Sequence, residues 1–119
     1  MDLSYSDLDD GVRKIDLTGR LDVEGAEAID LRFTVLTSTG LNFVVVDLSN
    51  VEFLASIGIA TLVRNAKAVR LRQGNLVLLN PRANVTQVLA STRIDQILPI
   101  FRTLDEARAA VRAAPPALT

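Results

Sequence analysis

The chain has 119 residues and contains no cysteine, no histidine, no tryptophan and five other aromatic residues. These absences exclude a disulfide framework, a thiolate nucleophile, a zinc cluster and every histidine-dependent triad or general base. Carboxylates, hydroxyls, two lysines and eleven arginines remain for any chemistry. We therefore expect neither a bound metal ion nor a cofactor.

Long apolar runs are also missing. No stretch approaches the roughly 20 apolar residues that cross a bilayer, and the start of the chain lacks the basic residues of a signal peptide. We expect a cytoplasmic protein without membrane insertion. The length, with 49% hydrophobic and 23% charged residues, fits one domain with a real core, predicted over residues 1–113. Pro115 and Pro116 predict a flexible C-terminal tail at 114–119.

The charges are divided unequally between the two halves of the chain. Residues 1–52 hold eleven acids and four bases, and residues 53–119 hold three acids and nine bases, so the halves carry net charges of −7 and +6. Between residues 53 and 94 lie six bases and no acid: Arg64, Lys67, Arg70, Arg72, Arg82 and Arg93. Two interpretations are open, a protein-binding face or bases placed near helix C-termini. Direct nucleic-acid binding is disfavoured because aromatic stacking platforms are scarce.

The first half of the chain predicts a hairpin, a helix and a strand. Period-two alternation on both sides of residues 9–11 predicts an opening β-hairpin. Asp22 is a good N-cap for a helix over about 23–38, which Gly40 ends. The β-branched run at 43–46 predicts a central strand covered on both faces and closed by residues 47–50.

The second half predicts alternating helices and strands. In order these are an amphipathic helix from Ser56 to Gly74, an apolar strand at 76–79, a short helix with Pro81 at its first position, a strand at 99–101, and a helix to about Val111 opened by the capping box of Thr103 and Glu106. The order ββαβαβαβα predicts an α/β fold with a mixed sheet of four to five strands and about four helices. Functional loops are expected at the carboxyl ends of the strands, which include residues 18–22, 47–56 and 80–82.

Ser56 is the residue that carries the clearest functional signal. It follows a segment leaving an apolar strand and stands at the predicted start of a helix. A phosphate there would lie beside unpaired backbone N–H groups and the positive end of the helix dipole. The same position suits a plain N-cap, because serine is a favoured capping residue. The residues alone leave both interpretations open.

The pattern D-L-S-x-V-x-F-L-x-S-x-G at residues 47–58 resembles the STAS domain family of bacterial anti-sigma factor antagonists. The segment Gly19-Arg20-Leu21-Asp22 is similar to the family's G-x-L-D before its first helix, and the order of elements agrees over most of the chain. The resemblance implies a STAS-like single domain. It also implies a protein-binding switch without enzymatic activity, which binds an anti-sigma factor and thereby regulates transcription.

The resemblance assigns roles to individual residues. Ser56 takes the position that an anti-sigma factor kinase phosphorylates in the family, which releases the partner, and a phosphatase would reverse this. Gly58 is expected to allow close approach to another backbone, and Phe53 and Leu54 to be packing residues. The implied partner-binding residues are Asp22, Asp47, Ser49, Asn50, Ala55, Ser56, Ile57, Gly58 and Ala60. This chain departs from many members at Ala55, where they have aspartate, and at Ile57, where they have a hydroxyl.

Other functions were compared with this one. A STAS accessory subunit that docks on a transporter ATPase would use the same surface without phosphate. A receiver domain would use Asp47 as phosphoacceptor, but the acidic pair for Mg²⁺ and a late lysine are missing. Nucleotide-binding glycine motifs are absent. The sequence leaves the oligomeric state open between monomer and homodimer.

Overall fold

The computed structural model describes residues 1–113; the tail predicted at 114–119 lies outside them. Five strands and four α-helices form within these residues, in the predicted order: β1 (Asp2–Asp7), β2 (Val12–Leu21), α1 (Val23–Ser38), β3 (Phe43–Leu54), α2 (Ser56–Leu71), β4 (Asn75–Leu79), α3 (Ala83–Ser91), β5 (Ile100–Phe101) and α4 (Leu104–Val111). A single 3₁₀ turn, Ile94–Gln96, separates α3 from β5. The α/β prediction is confirmed.

The strands form one mixed sheet in the order β1-β2-β3-β4-β5. β1 and β2 pair antiparallel as the predicted hairpin, and all other neighbours pair in parallel. The larger core joins one face of the sheet to α1, α2 and α3, and a smaller core joins the other face to α4. The central strands are therefore covered on both faces, which explains their unbroken apolar runs.

β3 is longer than the sequence predicts. The prediction that residues 47–50 close this strand is wrong, because the strand continues to Leu54 beside β2. Two irregularities in the pairing, near Asp16 and near Gly19, let β3 carry extra residues against β2. Leu48, Val51 and Leu54 remain buried along the extension. The polar residues between them resemble a loop in the sequence, but at β-bulges such residues leave the sheet without ending it.

Two helix starts differ from the predictions. The possibility that Ser56 is an N-cap is wrong, because the cap of α2 is Ala55, with extended backbone, and Ser56 is the first helical residue. Pro81 does not open α3, which starts at Ala83 after Arg82 as its cap. The caps predicted for α1 and α4 are confirmed, since Asp22 Oδ1 accepts from Gly25 N at 2.9 Å and Thr103 Oγ1 accepts from Glu106 N at 3.2 Å.

The bases of the second half mostly bind within the fold. Arg64 pairs with Asp30 of α1. Three other arginines donate to main-chain oxygens: Arg70 to Ile97 O, Arg72 to Thr37 O and Gly40 O, and Arg82 to Ser49 O. Of the two interpretations, placement near a helix C-terminus applies to Arg70, in the last turn of α2, and to Arg72, the C-cap of α2. A free basic face does not form from these four residues.

The turn between α2 and β4 is built around Gly74. Gly74 N donates to Val69 O at 2.8 Å, and Asn75 N donates to Asn42 O at 3.0 Å. A Cβ atom on Gly74 would lie 1.9 Å from Asn42 O. Only glycine allows this contact between two backbones, which aligns β4 against β3.

Replacing Gly74 by alanine should therefore lower the free energy of unfolding by about 2 to 3 kcal/mol, because the backbone must move to admit the methyl group. Urea denaturation followed by circular dichroism measures this. Gln87→Ala, at an exposed position of α3, is the control and should change stability by less than about 0.5 kcal/mol. Equal stability of the two variants would show that the turn adapts without cost.

Candidate functional site

The candidate site lies where β2 and β3 end together. Leu21 is the register partner of Leu54, and Ala55 N donates to Leu21 O at 3.0 Å. Since α1 follows β2 and α2 follows β3, both helices begin at this end of the sheet. The carboxyl ends of parallel strands are where α/β sheets usually bind their ligands and partners.

The two helix starts differ in their electrostatics. At α1, the carboxylate of Asp22 accepts from Gly25 N, and Glu24 follows in the first turn. The N–H group of Gly25, together with Arg20, lowers the pKa of Asp22. At α2, Ala55 offers no polar side-chain atom, and the first turn holds no acid. The exposed Ser56 thus stands at a positive helix end that no side-chain carboxylate neutralises from within its own first turn.

Gly58 fixes the position of this helix start against β2. A Cβ atom there would lie 2.7 Å from Leu21 O and 2.6 Å from Leu21 Cγ. The predicted close approach of α2 to another backbone is therefore present, and its partner is the end of β2. Any larger residue would push the first turn of α2, including Ser56, away from the end of β2.

Arg20 and Phe53 form an exposed pair beside the helix starts. The guanidinium carbon of Arg20 lies 4.4 Å from the centre of the Phe53 ring, and Arg20 Nε lies 3.4 Å from Asp22 Oδ2. Phe53 is 39% exposed, so the expectation that it is a packing residue is wrong, whereas Leu54 is buried as expected. The pair follows from Arg20 lying opposite Phe53 in the register, which the sequence does not reveal without the full length of β3.

A groove of about 330 Å³ runs between the first two turns of α1 and those of α2. Its apolar lining includes Val23 and Ile57, which are 57% and 41% exposed. The other lining residues are Ala26, Glu27, Asp30, Thr61 and Arg64. Of the site residues predicted from the sequence, Ile57 lines the groove. Val23 also lines the groove, but the sequence does not predict it as a site residue.

Asp47 and Ser49 lie apart from Ser56. Because Asp47 and Leu54 are seven residues apart on one strand, the distance between them is roughly 20 Å. Asp47 Oδ1 accepts from Ser49 N at 2.9 Å and from Ser49 Oγ at 2.6 Å. Lys14 Nζ lies 3.3 Å from Asp47 Oδ2 and 2.6 Å from Asp16 Oδ1. These contacts hold the irregular part of β3 in place.

The predicted partner-binding residues consequently form two groups. Around the start of α2 lie Asp22, Ala55, Ser56, Ile57 and Gly58, with the exposed Ala60 one turn further along. Asp47, Ser49 and the exposed Asn50 belong to the earlier part of β3. The loop expected to join the two groups is a strand.

Residues of the β4–α3 connection also contact β3. Asn80, in the left-handed conformation at φ 49°, directs Nδ2 to 3.3 Å from Ser49 Oγ. Asn84 Nδ2 donates to Glu52 O at 2.8 Å. Together with Arg82, these side chains bind the part of β3 that extends beyond β4, which ends opposite Asp47. The sequence places Asn80 among the loops expected at the carboxyl ends of the strands, but it does not single out Asn84.

Across residues 1–113, histidine, cysteine, aspartate and glutamate do not gather in groups of three that could hold a metal ion. Over that range no helix is both long and apolar enough to span a membrane.

Asp47 should make stability depend on pH in the acid range. Burial disfavours its charge, but the hydrogen bonds from Ser49 and the charge of Lys14 outweigh it, so the pKa of Asp47 is lowered from 3.8. The ionised form therefore stabilises the fold fully above pH 3.8, and this contribution is lost as the pH falls through the lower native pKa. We expect Asp47→Asn to cost about 1 to 2 kcal/mol at pH 7 and progressively less below pH 3.8.

Urea denaturation at pH 7 and pH 3 measures this difference. Asp2→Asn, at an exposed position of β1, is the matched control and should cost less than about 0.5 kcal/mol at either pH. A cost for Asp47→Asn that is the same at both pH values would contradict the role of the ionised carboxylate.

Comparison with known proteins adds independent information. A protein-family model described as the STAS domain matches residues 7–107 of this chain. A Bordetella bronchiseptica protein named as the anti-sigma factor antagonist BtrV is 28% identical over 107 residues, which are 90% of this chain and 92% of that protein. A crystal structure of a protein described as an anti-sigma factor antagonist from Thermotoga maritima has a TM-score of 0.84 and 28% identity, covering 93% of this chain and 95% of that one.

A more distant likeness concerns the fold alone. The anti-sigma factor antagonist SpoIIAA is similar with a TM-score of 0.77 and 20% identity in its unphosphorylated form, covering 93% of this chain and 96% of SpoIIAA. Its phosphorylated form, described as a Bacillus cell fate determinant, has a TM-score of 0.69 and 19% identity, with 93% and 100% covered. The architecture described above is thus shared with a protein solved in both states.

Proposed function

Because the chain belongs to the STAS domain family, we propose that it is an anti-sigma factor antagonist whose binding to an anti-sigma factor is switched by phosphorylation of Ser56. The protein acts in the cytoplasm as a binding component without enzymatic activity, and the anti-sigma factor or an associated protein supplies the kinase. A phosphatase restores the binding form. The names of the similar proteins from Bordetella and Thermotoga support the class of partner.

The observation that carries the proposal is the helix start at Ser56. The hydroxyl is exposed, it belongs to the first helical residue, and the cap before it is an alanine. The serine is therefore not held as an N-cap, as Asp22 is at the neighbouring helix. Its presence at this position is explained better by modification than by stabilisation of the helix.

Electrostatics supports a phosphate at this position. A phosphoserine carries about −1.5 to −2 charges at neutral pH, and the start of α2 combines a positive dipole end with a first turn that lacks acids. Phosphorylation should leave the fold intact. The switch then acts on the surface of the domain and needs no unfolding.

The surroundings of Ser56 explain how a phosphate would release a partner. Ile57 and Val23 expose apolar side chains, and the groove between them and α1 is suited to an apolar side chain of the partner. A phosphate at the rim of such a contact would have to lose its hydration. It would also add charge beside Asp22 and the acids of α1, which repels an acidic partner.

The two groups of predicted contact residues receive different roles. We assign direct contact to the residues around Ser56 that are at least partly exposed, namely Asp22, Ala55, Ile57 and Ala60, whereas the buried Gly58 positions them by letting α2 pack against the end of β2. Asn50 extends that surface along β3. Asp47 and Ser49 contribute by holding the bulged part of β3 from which this surface follows.

Replacing Ser56 by aspartate tests the switch. Partner binding should weaken at least about tenfold, because a charge enters the contact. The free energy of unfolding should rise by about 0.5 kcal/mol, because the negative charge interacts favourably with the helix dipole. Wild type, Ser56→Ala and Ser56→Asp are used to capture proteins from a lysate of the source cell, with identification by mass spectrometry. Binding of the captured anti-sigma factor is then titrated by calorimetry.

The matched control is Ala83→Asp. Ala83 is the exposed first residue of α3, and the first turn of α3 also lacks acids. This variant carries the same charge at the same helical position and should bind like wild type. Undiminished binding by Ser56→Asp would overturn the phosphorylation switch. Capture of a transporter subunit by all variants alike would instead identify the chain as an assembly component.

A further inference from the structure

The outer face of α1 carries an apolar stripe that no other element of residues 1–113 covers. Ala28, Leu31 and Val35 follow one another at intervals of three and four residues, with Glu24 before them and Ser38 after them at the same spacing. All five are exposed. We call these five residues the outer seam. Their spacing is that of the a and d positions of a coiled coil.

The two large apolar side chains of this seam are strongly exposed. Leu31 is 75% and Val35 46% exposed, and the half-exposed Tyr5 of β1 lies nearby. A groove of about 350 Å³ is lined by Tyr5, Leu31, Arg32, Val35 and Leu36. A protruding leucine therefore stands beside a depression on the same surface. This is the arrangement in which two identical faces can fill each other.

The charges beside the seam are complementary between two copies. If Ala28 and Val35 are assigned to position a of the heptad and Leu31 to position d, Glu27 occupies position g and Arg32 the next position e. Within residues 1–113 neither of them forms a salt bridge, whereas Asp30 on the same helix is paired with Arg64. Five residues apart, the two cannot reach each other along one helix. In a parallel pair of helices, a residue at position g contacts position e of the next heptad on the partner helix. Two-fold symmetry repeats this contact on the other side of the seam.

We propose that the outer seam binds a second copy of this chain, with the two α1 helices packed in parallel about a two-fold axis. Leu31 and Val35 form the centre, and Glu27 pairs with Arg32 of the other copy on both sides. An antiparallel packing centred on Leu31 and Val35 would place the two copies of Arg32 opposite each other and Glu27 at the end of the partner helix, so it gains neither ion pair. Parallel packing also brings the two copies of Glu24 together, which limits the affinity.

The resulting dimer is weak. Its apolar centre spans about two turns of helix, and an interface of this size lies below the roughly 1,200 Å² of a standard stable complex. The seam lies on α1, and the inference is independent of the function of Ser56. It selects the homodimer from the two oligomeric states that the sequence leaves open.

Sedimentation equilibrium of the full chain over a range of concentrations tests the dimer. Wild type should show a reversible monomer–dimer equilibrium, and Leu31→Glu should weaken it by more than about tenfold. Leu71→Glu is the matched control, because Leu71 is 87% exposed but lies on α2; it should dimerise like wild type. A wild type that stays monomeric at millimolar concentration, or a dimer that Leu31→Glu leaves unchanged, would overturn the proposal.

Charge reversal tests the parallel orientation separately. Glu27→Lys and Arg32→Glu each create like-charge pairs in their own homodimers, so each should dimerise roughly threefold to tenfold more weakly. A mixture of the two restores both attractive pairs and should favour the heterodimer. Because the chain has no cysteine, a single Ser91→Cys on each variant allows labelling for energy transfer. A mixture that forms no excess of heterodimer over the statistical fraction would contradict parallel packing.

Discussion

The pairing of β2 with the full length of β3 decides where the other parts of this domain lie. It carries both strands to the same end, so that Ala55 bonds to Leu21 and the helices α1 and α2 begin side by side. The absence of a side chain at Gly58 then lets α2 pack directly against that end. If β3 ended at Asp47, Ser56 would belong to a long loop and its surroundings would not be defined.

The bulges in this pairing leave backbone groups of β3 without partners in the sheet, and polar side chains bind several of them. β3 carries more residues than the strand beside it, so its bulged segment needs partners for backbone groups that leave the sheet. Asp47 supplies an acceptor for Ser49, and Arg82 and Asn84 donate to backbone oxygens further along. The acidic first half and the basic second half of the chain also meet directly, where Arg64 pairs with Asp30 and Arg108 with Asp10. Charges that resemble a binding face in the sequence largely stabilise the fold.

Predictions succeeded where a local pattern and the tertiary environment agree. The range of α1, the cap at Asp22 and the capping box at Thr103 follow from interactions within a few residues. The end of β3 cannot be predicted locally, because Asp47, Ser49 and Asn50 break the apolar run, whereas bulges in the folded sheet accommodate such residues. The identity of Ser56 as a candidate was visible in the sequence, but its distinction from an N-cap required the backbone angles of Ala55.

By itself the sequence determined the order of elements and the residue at which modification is proposed, because hydrophobic spacing and capping act over short distances along the chain. The tertiary structure alone decided that Arg20 covers Phe53, that Val23 joins Ile57 in one groove, and that Asp47 lies far from Ser56. Those relations depend on the register between strands and on the packing of α1 beside α2. Both are set by contacts between residues distant in the chain, which no local pattern records.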